Sequence, residues 1–200
     1  THAERADAVF THMYPKFAIL AAPYAKLKQL PIVMWYTHTH VSRQLWLAEK
    51  LADRIVTASQ GSCRLDSNKV RVVGHGIDSE RFVPSSSKQH LSQVPTILSV
   101  GRISPAKHYE ILIEAVARLI EQAGTKPFHL RLVGGAPHNE HRVYLEELER
   151  QVTDRNLSAY ISFEGAIPYE RIVPTYQQAD IFVSASQTGL DKAILEAMAC

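Results

Sequence analysis

Short apolar runs rich in β-branched residues recur along the chain, separated by stretches whose apolar positions fall at helical spacing. The first pattern suits a buried parallel strand, the second an amphipathic helix. In the first half, strands are predicted at 7–12, 31–37, 53–57 and 70–73. Helices are predicted at 14–29, with a kink or break at Pro23, and at 41–51. In the second half the strands are Thr96–Val100, His129–Val133, 160–163 and the buried run Ile181-Phe182-Val183. A helix follows the first of these; Ser104 can cap it, Pro105 suits its first position and Gly124 is a fitting stop. Its apolar stripe reads Ile111, Ala115 and Leu119 with Leu112, Val116 and Ile120. The segment 137–155 is a charged helix turning Leu145, Leu148 and Val152 inward, and 169–178 is a short helix irregular around Pro174. A last helix opens at Asp191, which can cap it.

Strands alternating with helices imply an α/β fold with parallel, doubly wound sheets. The pattern stops between Gly74 and Pro95, where Gly76, Pro84 and three consecutive serines give linker chemistry. This divides the chain into 1–84, the later part of one Rossmann-like domain, and 85–200, an incomplete second one. Right-handed crossovers place strand C-terminal ends on one edge, where open α/β sheets bind ligands. Gly101-Arg102, Gly134-Gly135, Gly165 and Thr188-Gly189 all fall at such ends.

Two of these strand-to-helix turns carry chemistry. In 179–200, ADIFVSASQTGLDKAILEAMAC, a strand leads through a Gly-bearing turn to a helix N-terminus. Unpartnered N–H groups and the helix dipole favour an anion there, although a capping Asp191 competes with one. In 96–107, TILSVGRISPAK, the same form carries two fixed cations. Arg102 can clamp a phosphate with paired bonds and Lys107 adds a point charge.

Together the two stretches resemble the donor site of retaining glycosyltransferase family 4, enzymes of GT-B fold. That family carries Gly-Arg with a Lys five residues after the Arg, as Gly101-Arg102 and Lys107 do here. It also carries two Glu separated by seven residues, the second opening Glu-Ala-Met-Ala, as Glu196-Ala197-Met198-Ala199 does here. Thr188 stands where the family's first Glu is usual. The run Gly74-His75-Gly76-Ile77-Asp78, with Phe82 and Pro84, resembles the family's interdomain crossing, with His75 in place of Asn.

The resemblance implies roles. Arg102 and Lys107 would bear the charge that builds on a departing diphosphate. Glu196 would accept the ribose hydroxyls. Thr188, Gly189 and Leu190 would face the donor sugar and its phosphates, and Gly165 to Ile167 would line the base pocket through backbone groups. His38, or else His40, would touch the donor sugar from the first domain. The implied activity is transfer of a hexose from a UDP- or GDP-sugar to a glycan or lipid-linked acceptor hydroxyl, with retention, without metal or cofactor. Each residue has a plainer alternative. Lys107 can pair with Glu110 or Glu114, Lys192 with Glu196, and His38 with nearby backbone. Asp191 can reach the sugar in place of the missing Glu, or serve only as a cap. Thr188 also leaves open a nucleotide-sugar-binding protein without transfer, and the fold alone leaves open a GT-B sugar epimerase.

Composition narrows the field. With 46% hydrophobic and 21% charged residues the chain has an ordinary soluble balance. A net charge of +2 gives no case for nucleic acid. No Asp-x-Asp occurs, and His38-x-His40 has no third metal ligand at useful spacing. Cys63 and Cys200 are too few for a disulfide scaffold and suit a cytoplasmic protein. No apolar run reaches a membrane span. Lys16, Lys26 and Lys28, with Phe17, Ile19, Leu20 and Leu27, could instead rest the first helix on an anionic membrane face, the alternative being a helix packed on its own sheet. The chain starts at Thr1 and stops inside a helix, as expected of a fragment of a longer protein. Oligomeric state is not legible in the sequence.

Overall fold

The structure is a computed structural model that describes residues 6–86, 93–123, 127–186 and 191–200. Each apolar run of the first half becomes a strand of one parallel sheet. The strands are β1 (Val9–His12), β2 (Ile32–Trp35), β3 (Arg54–Thr57) and β4 (Val70–Val72), in the order β1-β2-β3-β4. Between them run α1 (Pro15–Leu27) and α2 (Arg43–Leu51). Pro15 opens α1, where a missing N–H costs nothing. The helix continues through Pro23 without the expected break. The Ser42 hydroxyl caps α2 by accepting the Leu45 N–H at 3.1 Å. Ile32, Met34, Leu45 and Ile55 are fully buried against Ala18, Ala22, Ala25 and Ala48.

The second half forms another parallel sheet from β5 (Thr96–Val100), β6 (His129–Val133), β7 (Ile161–Gly165) and β8 (Ile181–Phe182), ordered β7-β6-β5-β8. Its helices are α3 (Tyr109–Ala123), α4 (Asn139–Asp154), α5 (Ile172–Gln178) and α6 (Lys192–Ala199). Strand side chains alternate between faces, so the sheet is covered on both. Leu130, Leu132 and Ile161 meet Ile113 and Val116 of α3 and Leu148 and Val152 of α4. Leu98 and Val133 meet Phe82, Ile172 and Tyr176 in a second cluster.

Several expected details are corrected. The segment after Ser104 is a single 3-10 turn, Pro105–Lys107, and Ser104 makes no side-chain cap. His108, at φ 52°, is left-handed and breaks the chain before α3 starts at Tyr109. The inward arc of α3 is Tyr109, Ile113, Val116 and Ala117, with Leu112 and Ile120 partly buried beside it, while Ile111 and Leu119 of the expected stripe are exposed. The helix at 169–178 is a 3-10 turn, Tyr169–Arg171, leading into α5. Ile181 is exposed, not buried, because among the described residues β8 pairs only with β5. The chain forms two compact units, the second taking up the main chain at Ile77. Phe82 is buried in the second cluster, the Val83 carbonyl accepts from Gln177 at 2.7 Å, and Arg81 lies over the Tyr169 ring.

Candidate donor-binding site

The ends of β5, β6 and β7 are sewn together through backbone. The Gly101 N–H donates to the Val133 carbonyl at 2.9 Å, Ile103 to Gly135 at 3.0 Å, and Gly134 to Gly165 at 2.8 Å. A Cβ on Gly134 would stand 1.7 Å from the Gly101 carbonyl oxygen, so the strands approach this closely only with glycine at 134. Gly165 has φ +69°, a left-handed turn that glycine makes at little cost. Ile167, two residues on, packs half-buried beside the Phe82 cluster. Arg102 sits between the two residues anchored to the β6 end. Its side chain is exposed and makes no ion pair with another described residue.

Lys107 ends the 3-10 turn, and its amine pairs with neither Glu110 nor Glu114. Glu110 accepts from the Tyr144 hydroxyl and meets His108 at 3.0 Å, while Glu114 binds Arg118 and Arg155 at 2.7 and 2.8 Å. The Lys107 amine instead holds the carboxylate of Asp191, with 20% and 17% of the two side chains exposed. Asp191 occupies the N-cap position of α6, yet its side chain makes no cap bond; the carboxylate is turned to Lys107. The expected cap is therefore an ion pair that joins the β5 turn to the start of α6.

Glu196 lies on the second turn of α6 and is buried. The Tyr176 hydroxyl of α5 donates to it at 3.0 Å, and Lys192 approaches its other oxygen at 3.7 Å. Burial pushes the Tyr176 hydroxyl far up, and the carboxylates of Glu196 and Asp191 push it further. Burial likewise raises Tyr109, with Asp191 and Tyr144 adding to it. The Tyr109 hydroxyl donates to the Gly101 carbonyl at 2.9 Å. Lys107, Asp191, Tyr109, Tyr176 and Glu196 thus share one electrostatic neighbourhood. The tyrosines gave no sequence signal, since each reads as an ordinary apolar helix position. Thr188, Gly189 and Leu190 lie outside the described residues.

His38 belongs to the first unit. Its Nδ1 accepts the His40 N–H at 3.0 Å, and the His40 carbonyl accepts the Tyr36 hydroxyl at 2.7 Å. A neutral His38 held this way carries its proton on Nε2. His12, Met13, Tyr14, Pro15, Tyr36, His38 and His40 line an open depression of about 560 Å³ at the ends of β1 and β2. A different cavity, of about 280 Å³, lies at the start of β8 between Leu98, Tyr176, Ile181 and Cys200, away from Arg102 and Lys107. Among the described residues no group of three His, Cys, Asp or Glu comes together to hold a metal. Cys63 and Cys200 are free thiols.

Residues 94–200 match the family glycosyl transferases group 1. The chain belongs to this family. A GDP-mannose-dependent alpha-(1-6)-phosphatidylinositol monomannoside mannosyltransferase of Mycolicibacterium smegmatis is 29% identical over 140 residues, covering 62% of this chain and 35% of that protein. A D-inositol 3-phosphate glycosyltransferase of Corynebacterium jeikeium is 31% identical over 144 residues, covering 66% and 33%. The chain spans about a third of the length of the curated relatives it matches. Among solved structures, Anabaena HepE, crystallised with UDP and glucose, superimposes with a TM-score of 0.78 at 22% identity, over 100% of this chain and 58% of HepE. The C-terminal domain of the group 1 glycosyl transferase LpcC from Francisella tularensis gives 0.54 at 30% identity, over 62% and 66%. The fold is of the GT-B kind, with parts of two Rossmann-like units.

Proposed function

We propose that the chain is part of a glycosyltransferase that moves a hexose from a nucleoside-diphosphate sugar to an acceptor hydroxyl, with retention and without a metal. The observation that carries this reading is the Lys107–Asp191 contact, which brings the basic turn after β5 to the start of α6. The donor's diphosphate would lie against Arg102 and Lys107, in the place the Asp191 carboxylate now takes. As the anomeric C–O bond breaks, negative charge grows on the leaving diphosphate and fixed cations there lower the barrier. The acceptor oxygen bonds to the anomeric carbon, and its proton passes to the departing phosphate. Glu196, held by Tyr176, would accept the ribose hydroxyls. Gly165 and Ile167 would face the base. Thr188, Gly189 and Leu190 would face the sugar.

His38, with a proton on Nε2, would donate to a hydroxyl of the donor sugar. The named relatives act on GDP-mannose with a phosphatidylinositol glycolipid, and on inositol 3-phosphate. They favour a glycan or lipid-linked acceptor here, and free thiols suit a cytoplasmic setting. The test is to incubate the full-length protein with UDP- and GDP-hexoses, with and without a chelator. Nucleotide release and the anomeric configuration of the product are followed by NMR. Failure to bind either nucleotide would end the reading. Thr188, standing where the resemblance implies a Glu, favours a second reading: a protein that binds nucleotide sugars without transfer. Tight nucleotide binding without turnover, restored by Thr188→Glu, would select it.

A further inference from the structure

The helix α1 is built inside out. Its buried positions carry the smallest apolar side chains, Ala18, Ala22 and Ala25. Its outer positions carry Phe17, Leu20, Tyr24 and Leu27, which are 48%, 72%, 42% and 79% exposed. Their helical spacing places these four in one stripe, and Tyr14 extends it at the N-terminal end. A helix that only covered its own sheet would show the reverse, with large residues inward. The alanines let α1 sit close on the sheet and against α2, and the large side chains are left facing out. Successive right-handed crossovers put α2 on the same side of the sheet. It turns Trp46 outward, 58% exposed, with the Lys50 amine 5.2 Å from the ring centre.

The charge around this stripe has one sign. Between Asp7 and Glu49 the sequence has no carboxylate, and it carries Lys16, Lys26, Lys28 and Arg43. The three lysines are exposed at the two ends of the stripe. Up to Gly76 there are ten Lys and Arg against five Asp and Glu; beyond it, twelve against fifteen. A nearly neutral chain therefore hides a basic first unit and an acidic second one.

We propose that the outer face of α1, with Trp46 beside it, docks on an anionic phospholipid surface. The apolar stripe enters the boundary between headgroups and acyl chains while the lysines reach lipid phosphates, the arrangement of an interfacial helix. Tyr24 and Trp46 suit that depth because each ring has an apolar body and a polar edge. Contact is peripheral: among the described residues no helix is long and apolar enough to cross a membrane. This inference does not depend on glycosyl transfer.

The experiment is co-sedimentation of the full-length protein with vesicles of phosphatidylcholine, or of phosphatidylcholine with phosphatidylglycerol. Binding is expected only to the anionic vesicles, and is weakened by salt. Replacing Lys16, Lys26 and Lys28 by Gln lowers partitioning by about fivefold per lysine. The double change Leu20→Ser and Leu27→Ser removes binding and leaves the melting curve unchanged, because both side chains are already in solvent. Absence of binding to anionic vesicles, or equal binding by these variants, overturns the proposal. So does a dimer seen by light scattering that the Leu20→Ser and Leu27→Ser protein no longer forms, which would assign the stripe to a second copy.

Discussion

Lys107 and Asp191, separated by 84 positions in sequence, form an ion pair at the strand ends of the second unit. The cation assigned to the donor diphosphate is thus already held by a carboxylate. A diphosphate carries more charge and more acceptor oxygens, so it can displace Asp191, but it must do so against an existing contact.

Asp191→Asn removes that competitor. Affinity for UDP or GDP, measured by calorimetry, is expected to rise by about three- to tenfold, and stability to change by no more than about 1 kcal/mol. A fall in affinity would show that Asp191 positions Lys107 for phosphate, and that its carboxylate is part of the site.

Arg102 presents the opposite case. Its side chain is exposed and pairs with no described residue, so the folded state gains little from it. Arg102→Ala should cut turnover by about 10²- to 10³-fold, the scale of losing one fixed donor to a developing anion. Its melting curve should match the parent's to within about 0.5 kcal/mol. A large loss of stability would make Arg102 structural and remove it from the site.

Glu196 can be tested through the ribose. The Tyr176 bond persists in Glu196→Gln, which keeps the shape and removes the charge. The variant should bind UDP or GDP about tenfold more weakly and should lose the parent's preference over the 2′,3′-dideoxy nucleotide. A preference that survives the change means the hydroxyls are read elsewhere.

The strands were legible because buried parallel strands leave compact β-branched runs; Thr96–Val100 and His129–Val133 match the structure to the residue. The start of α3 was not. Ser104-Pro105 is a valid helix opening, and only the left-handed His108 prevents it from continuing. The burial of Phe82 was hidden for a similar reason: it lies in a stretch that reads as linker, and its partners Leu98, Val133, Ile172 and Tyr176 are beyond the reach of local pattern. Of the candidate site, the sequence offered Arg102, Lys107 and Glu196 as residue types in motifs, and their roles stay proposals. The partner of Lys107 was not legible, since neighbours in sequence, Glu110 and Glu114, looked closer. Tyr144 and Arg118 had already engaged those carboxylates.

The sheet that presents the site depends in part on a charge pair open to test by pH. Arg131 of β6 grips Glu164 of β7 with two bonds, at 2.5 and 2.9 Å, and the side chains are 21% and 27% exposed. The bonds from Arg131 hold the Glu164 carboxyl below the ordinary glutamate range, against a smaller opposing effect of burial. A carboxyl whose folded pKa is depressed contributes stability that is fully present above the unfolded value and lost as pH falls through the folded one. Glu164→Gln should therefore be less stable than the parent at pH 7 by about 1 kcal/mol. The gap should begin to close below about pH 4.5 and vanish once the parent's Glu164 is protonated. Urea unfolding of both proteins at pH 7, 5 and 3 measures this. A gap constant across that range would attribute the loss to packing between β6 and β7, and the ion pair would then contribute nothing.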